Sequence, residues 1–208
     1  MPLTINPATI AVAADGTTAV LVQNIVQMYD PQGKQIANWV HPWFVWETQL
    51  AFWGDLLVAN IHHRDSFAIL RRNGDLVTEF KTFAGGPGKM YAPMAFALGA
   101  DGDLLVQQAD GQALRFHLDG PEFNPVFVES FRIDAASPGS GFDGPERILV
   151  TNEQGLRVFG RGGKRLMASD PKHDPSQQEF SGAAHVRRFG NRLLILDSDR
   201  SALWTISG

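Results

Sequence analysis

The stretch FAGGPGKMYAPMAFALGADGDLLVQQADGQALRFHLDG, residues 83–120, decides the fold. A Gly-rich connection comes first, then Pro93 ahead of the apolar run AFALG. A turn at Asp101-Gly102 leads into LLVQQ (104–108), and a further run, ALRFHL, closes on Asp119-Gly120. Asp-Gly pairs suit hairpin turns because both residues tolerate positive φ. Short apolar runs punctuated by such turns predict consecutive antiparallel strands.

The central run recurs on either side, as AVLVQN (19–24), LLVAN (56–60), ILVTN (148–152) and LLILD (193–197). Aligning Val22, Val58, Val106, Val150 and Ile195 gives spacings of 36, 48, 44 and 45 residues. Five similar runs at such a period predict stacked or radial supersecondary units. Upstream strands lead through ADGT, Gly54-Asp55, ADGD and Gly190-Asn191 into four of the runs. The downstream strands are VQMYD, FAILR, ALRFHL, LRVFG and ALWTI. A fourth strand follows in places, as in LVTEF (76–80) and PVFVESF (125–131). Three to four antiparallel strands per unit is the pattern of a propeller blade. Strands apolar on both faces, such as LAFW and LLILD, fit sheets covered on both sides by neighbours.

These units resemble NHL-type β-propeller repeats. Residues 83–120 match best and 8–40 nearly as well. The resemblance implies an all-β fold, a β-propeller of about five blades with three- to four-stranded antiparallel sheets, and specifies no activity. The expected organisation is a single domain over 1–208, with units at 8–40, 41–83, 91–128, 129–169 and 181–208. The fifth unit ends after its third strand, so LTIN (3–6) is the candidate to close the ring and remove exposed edges. The fourth unit lacks a clean first hairpin. Its candidate first strand is FRID (131–134), with AASPGSGFDGPER as a loop. The second unit carries an insertion, IHHRDS (61–66).

Composition narrows function mostly by exclusion. The 208 residues are 44% hydrophobic, enough for one packed domain. A formal charge of −4 argues against generic nucleic-acid affinity. With no cysteine, disulfides, thiolate catalysis and cysteine-ligated zinc are excluded. MPLTINPATIAVAADG has no basic segment ahead of an apolar stretch, and no apolar run approaches a membrane span, so the expected location is cytoplasmic.

Four groups of residues are candidates for function. Trp39, Trp43, Phe44, Trp46, Phe52 and Trp53 crowd into 15 residues. Trp43, Phe44 and Trp46, on an interblade connection, are the expected partner-binding anchors; the alternative is core packing. Of the six histidines, His62, His63, His117 and His185 fall at different places within their units, so no metal site is expected. Asp101 and Asp103 flank a hairpin glycine, and Asp197 ends its run as Asn24, Asn60, Gln108 and Asn152 do. These positions favour turn-capping roles. Arg161, Lys164 and Arg165 form a possible polar binding surface, grouped with Arg157 around one turn. Residues 146–200 hold ten Lys or Arg against seven Asp or Glu. GGPGK (85–89) lacks phosphate-loop spacing, and no serine elbow occurs.

The expected function is a non-catalytic binding or scaffold module for a protein partner, with no cofactor. The alternatives are a hydrolase or lyase with a channel-mouth metal at His62, His63, His117, Asp197 or Asp199, and a glycan- or RNA-binding propeller.

Overall fold

The computed structural model describes residues 9–45, 48–81, 88–99, 101–119, 124–133, 139–142, 147–152, 155–160, 163–168, 183–189, 192–197 and 202–207. Among them the regular structure is β throughout, apart from one 3-10 turn at His62–Arg64. The first sheet comprises β1 (Thr9–Val12), β2 (Thr18–Val22), β3 (Ile25–Tyr29) and β4 (Gln35–Val40). The second is β5 (Leu50–Trp53), β6 (Leu56–Ile61), β7 (Ser66–Arg71) and β8 (Leu76–Lys81). The third is β9 (Pro93–Leu98), β10 (Asp103–Gln108), β11 (Gln112–Asp119) and β12 (Asn124–Arg132). The fourth contains β13 (Gly139–Phe142), β14 (Ile148–Asn152), β15 (Gly155–Phe159) and β16 (Arg165–Ala168). The fifth has three described strands, β17 (Ala183–Phe189), β18 (Arg192–Asp197) and β19 (Ala202–Ser207). Every strand pairs with its neighbour in sequence, so each sheet is a simple meander.

The chain divides into two compact units. The first covers Met1–Pro93 with Leu118–Pro125. In it β1 runs beside β5, the first strand of one sheet against the first of the next. Leu21, Val26, Met28, Leu57, Ile61 and Leu70 fill the space between these sheets. Each such side chain contributes about 1.5–3 kcal/mol when fully buried. β6 and β7 are buried on both faces over most of their length, whereas Ile36 and Val40 on β4 face outward. The central strands are enclosed on both faces and the outer ones are not, in keeping with the doubly apolar sequence of LLVANI.

The second unit covers Met94–His117 with Val126–Gly208. Here β13 runs beside β17, the same first-strand adjacency. Leu105, Phe131, Ile133, Ile148 and Phe159 form its described core.

Two expectations about strands are corrected. FRID does not open the fourth sheet: Phe131 and Arg132 end β12, and Ile133 hydrogen-bonds to the Gly111 carbonyl. The fourth sheet opens instead on β13, GSGF, inside the stretch expected to be a loop. Gly139 lies opposite Thr151 and Phe142 opposite Ile148. Glycine weakens an isolated strand but permits close backbone approach, and cross-strand pairing overrides its low strand propensity. The ring-closing expectation for LTIN falls on residues outside those described.

Candidate interaction site

The connection from β4 to β5 is a folded turn. The His41 amide donates to the Asn24 carbonyl at 3.0 Å, and the Phe44 amide to the His41 carbonyl at 3.2 Å. The Val45 amide donates to Thr48 Oγ1 at 3.1 Å, while the Thr48 amide returns to the Val45 carbonyl at 3.0 Å. This geometry sends successive aromatic side chains in different directions. Phe44 turns inward and is only 2% exposed, packed in the core of the first unit. That burial removes it from the expected set of anchors, because a ring enclosed on all sides has no surface to offer a partner. Trp43 stays half-buried, its body against the same core. Trp46 and Arg161 lie outside the described residues.

His41 is buried between these two rings, 4.1 Å from Phe44 and 5.4 Å from Trp43 between centroids. Its Nδ1 has no hydrogen-bond partner among the described residues. Burial holds the imidazole below its usual range, and the Glu79 carboxylate pulls weakly the other way.

The inserted residues 61–66 meet this connection. The Arg64 guanidinium carbon lies 3.9 Å from the centroid of the Trp43 ring, a cation–π stack. Its Nε donates to Glu79 Oε1 on β8 at 3.3 Å. The Ser66 hydroxyl donates to the same oxygen at 2.8 Å, and Lys81 Nζ lies 3.7 Å away. Burial works against the Glu79 charge, but Ser66, Arg64 and Lys81 together hold its carboxyl below the ordinary range. The turn itself is pinned at both ends. His62 Nδ1 lies 3.2 Å from the Pro93 carbonyl, so that nitrogen carries its proton. Asp65 takes a left-handed conformation and accepts the Ala92 amide at 2.7 Å.

Asn60, expected to cap a turn within its own sheet, is fully buried and does something else. It accepts the Gln49 amide at 2.5 Å and donates to the Pro93 carbonyl at 3.2 Å. The Asn60 backbone amide also donates to the Gln49 carbonyl at 3.3 Å, so the side chain extends that pairing and adds a buried link to Pro93.

Trp39 and Phe52 belong to a second stack in the first unit. Trp39 donates from Nε1 to the Arg72 carbonyl at 3.1 Å and lies over Gly74. The Arg72 guanidinium reaches Asp15 at 2.7 Å, Thr17 at 3.0 Å and Asp55 at 2.9 Å, 5.6 Å from the Phe52 ring. Hydrogen bonds from Arg72 and the Thr17 amide hold the Asp15 carboxyl down at about 2.

In the second unit the structure joins two residues that the sequence treats separately. Asp103 is not a turn residue but the first residue of β10, directly opposite His117 on β11. It accepts from Arg115 Nε at 2.7 Å and from Arg115 Nη2, while its other oxygen lies 3.1 Å from His117 Nδ1. Glu129 on β12 takes Arg115 Nη1 at 3.5 Å. Hairpin register about Asp110-Gly111 is the signal that pairs 103 with 117. Arg157, expected at the surface beside Lys164 and Arg165, is buried on β15. Lys164 and Arg165 are exposed. The side chains of His185 and Asp197 lie outside the described set, as does Asp199. Among the described residues no three metal-ligating side chains converge, and no helix is long and apolar enough to cross a membrane.

No family model matches the chain, and no curated protein matches it. It is similar in structure to the Cps50 (Swd1) β-propeller domain of Myceliophteria thermophila. The two share 12% identity with a TM-score of 0.66, over 98% of this chain and 84% of that one. Likeness at that identity concerns architecture and not activity. The expected fold is borne out: the chain is all-β, a β-propeller of about five blades with three- to four-stranded antiparallel sheets.

Proposed function

We infer that this chain is a non-catalytic binding module that recognises a protein partner through the surface around Trp43 and Arg64. The single observation behind this reading is the stack of Arg64 on Trp43. A half-buried tryptophan carrying an ordered guanidinium at a connection between sheets is the composition of an interface hot spot. Arg and Trp lose little freedom on binding when they are already fixed by packing and hydrogen bonds. The NHL-type resemblance of the repeats, their action as one domain over 1–208 and a cytoplasmic location belong to the same proposal. Lys164 and Arg165 are the alternative polar surface.

The test is capture from the native lysate by the tagged protein, with mass spectrometry of bound proteins and metals. Trp43→Ala should lose a specific partner while unfolding cooperatively in urea. Retention of every partner by Trp43→Ala, with loss on Lys164→Glu/Arg165→Glu, would move the interface to the alternative surface. A stoichiometric metal with no partner would replace the binding reading with the hydrolase or lyase one.

A further inference from the structure

The guanidinium groups of Arg115, Arg72 and Arg64 are each held by named partners, and they differ in what is left over. Arg115 is enclosed, its nitrogens directed at Asp103 and Glu129. Arg72 spends both terminal nitrogens on Asp15, Thr17 and Asp55. Arg64 is different. Its Nε is held by Glu79 and its face by Trp43, but its two terminal nitrogens have no partner among the described residues. The side chain is 31% exposed.

We propose that the free fork of Arg64 receives a carboxylate, that of an aspartate or glutamate side chain on the protein partner. The inference rests on the binding-module reading and names the chemistry of that surface. Two parallel N–H groups in a plane match the two oxygens of a carboxylate, and a guanidinium presents them bidentately. Stacking and the Glu79 bond fix the plane in advance, and the turn carrying Arg64 is stitched through His62, Asp65 and Pro93. That removes much of the ordering a flexible arginine would need on binding. A monoanion suits the site better than a phosphate dianion. Glu79 sits directly behind the guanidinium, and Lys81, the nearby cation, lies against Glu79. The net charge of −4 also disfavours a polyanion.

The experiment is a titration of the full-length protein followed through arginine side-chain N–H resonances, with Arg64 assigned by its absence in Arg64→Lys. The probes are the capped peptides Ac-Ala-Glu-Ala-NH2 and Ac-Ala-Gln-Ala-NH2, and inorganic phosphate. The Glu peptide should shift the Arg64 signals saturably in about the millimolar range, and the Gln peptide should bind at least about tenfold more weakly. Arg64→Lys should weaken the Glu peptide about tenfold with an unchanged urea midpoint, because charge stays and the fork is lost. Trp43→Ala should also weaken it, although no nitrogen is removed. Equal binding of the Gln peptide, no response at Arg64, or tighter binding of phosphate would each overturn the assignment. A silent Arg64 in a protein whose partner capture still depends on Trp43 would defeat the carboxylate receptor alone. A Glu peptide seated on Arg64, with partner capture indifferent to both Trp43 and Arg64, would instead defeat the binding surface.

Discussion

Arg115 in the second unit and Arg64 in the first are the same cation placed in two kinds of structure. Arg115 sits on β11 between strands that carry Asp103 and Glu129. Antiparallel register puts 103 opposite 117, so the period of two brings Asp103, Arg115 and His117 to one face. Burial disfavours the Arg115 charge, and Asp103 with Glu129 more than restores it. Arg64 lies on a 3-10 turn, outside the strand ladder whose register gives Arg115 its partners. One carboxylate reaches its Nε, an aromatic face replaces the second, and the terminal nitrogens have no partner among the described residues. A sheet interior consumes its ions, whereas an ordered turn can hold one fixed and still leave it available.

Breaking the enclosed cluster should have the largest effect. Asp103→Ala removes the carboxylate that faces two nitrogens of the buried Arg115 and should lower stability by about 3–5 kcal/mol in urea unfolding. Asp103→Leu with Arg115→Met should recover most of that loss, since a buried pair and an apolar pair of like volume are close in energy. A small loss in Asp103→Ala would mean that the cluster is hydrated rather than enclosed.

Next in size is Gly74→Ala. Gly74 has φ of +92°, and a Cβ there would lie 2.7 Å from the Trp39 ring. Left-handed strain at one residue costs about 1–3 kcal/mol, with the clash in addition. Thermal unfolding would register this as a clear fall in Tm, and an unchanged Tm would show that Trp39 swings aside freely.

Arg64→Ala should be smaller, below about 1 kcal/mol, because a part-exposed cation–π contact and ion pair contribute little. A loss as large as that of Asp103→Ala would erase the contrast between the two arginines and make Arg64 structural.

The subtlest effects are in pH dependence. His41 is held below its ordinary value of 6.5 by burial. Its contribution is fully present above that value and declines as pH falls below it, because the unfolded chain takes up the proton first. Asp15 is held down to about 2 from 3.8. Its contribution is therefore present above 3.8 and is lost as pH falls toward 2. His41→Phe should flatten the stability profile just below pH 6.5, and Asp15→Asn only the acid limb. Unfolding midpoints across pH for the two variants separate these windows.

The repeat made the architecture legible, because apolar runs and Asp-Gly turns report local backbone demands that survive sequence divergence. LLVAN, LLVQQ and ILVTN all fall in strands at the second position of their sheets. The opening of the fourth sheet was not legible. GSGF, half glycine, has little strand propensity, and pairing with β14 holds it extended. The candidate site was legible only in part. Crowded aromatics marked residues 39–53, but a one-dimensional pattern does not say which ring turns inward, and hydrogen bonds in the His41–Thr48 turn sent Phe44 to the core. Arg64 carried no signal beyond lying in an insertion.

What the sequence by itself determined is the period, the turns and the apolar faces, hence an all-β chain of about five meandering sheets. These are short-range properties, settled by residues within a hairpin of one another. Tertiary structure alone decided which polar groups meet. Glu79 reaches Arg64 from β8, Trp43 reaches it from the preceding connection, and Pro93 reaches both Asn60 and His62 from more than thirty residues away. Side-chain encounters of that kind depend on how sheets and turns pack in space, and no local pattern encodes them.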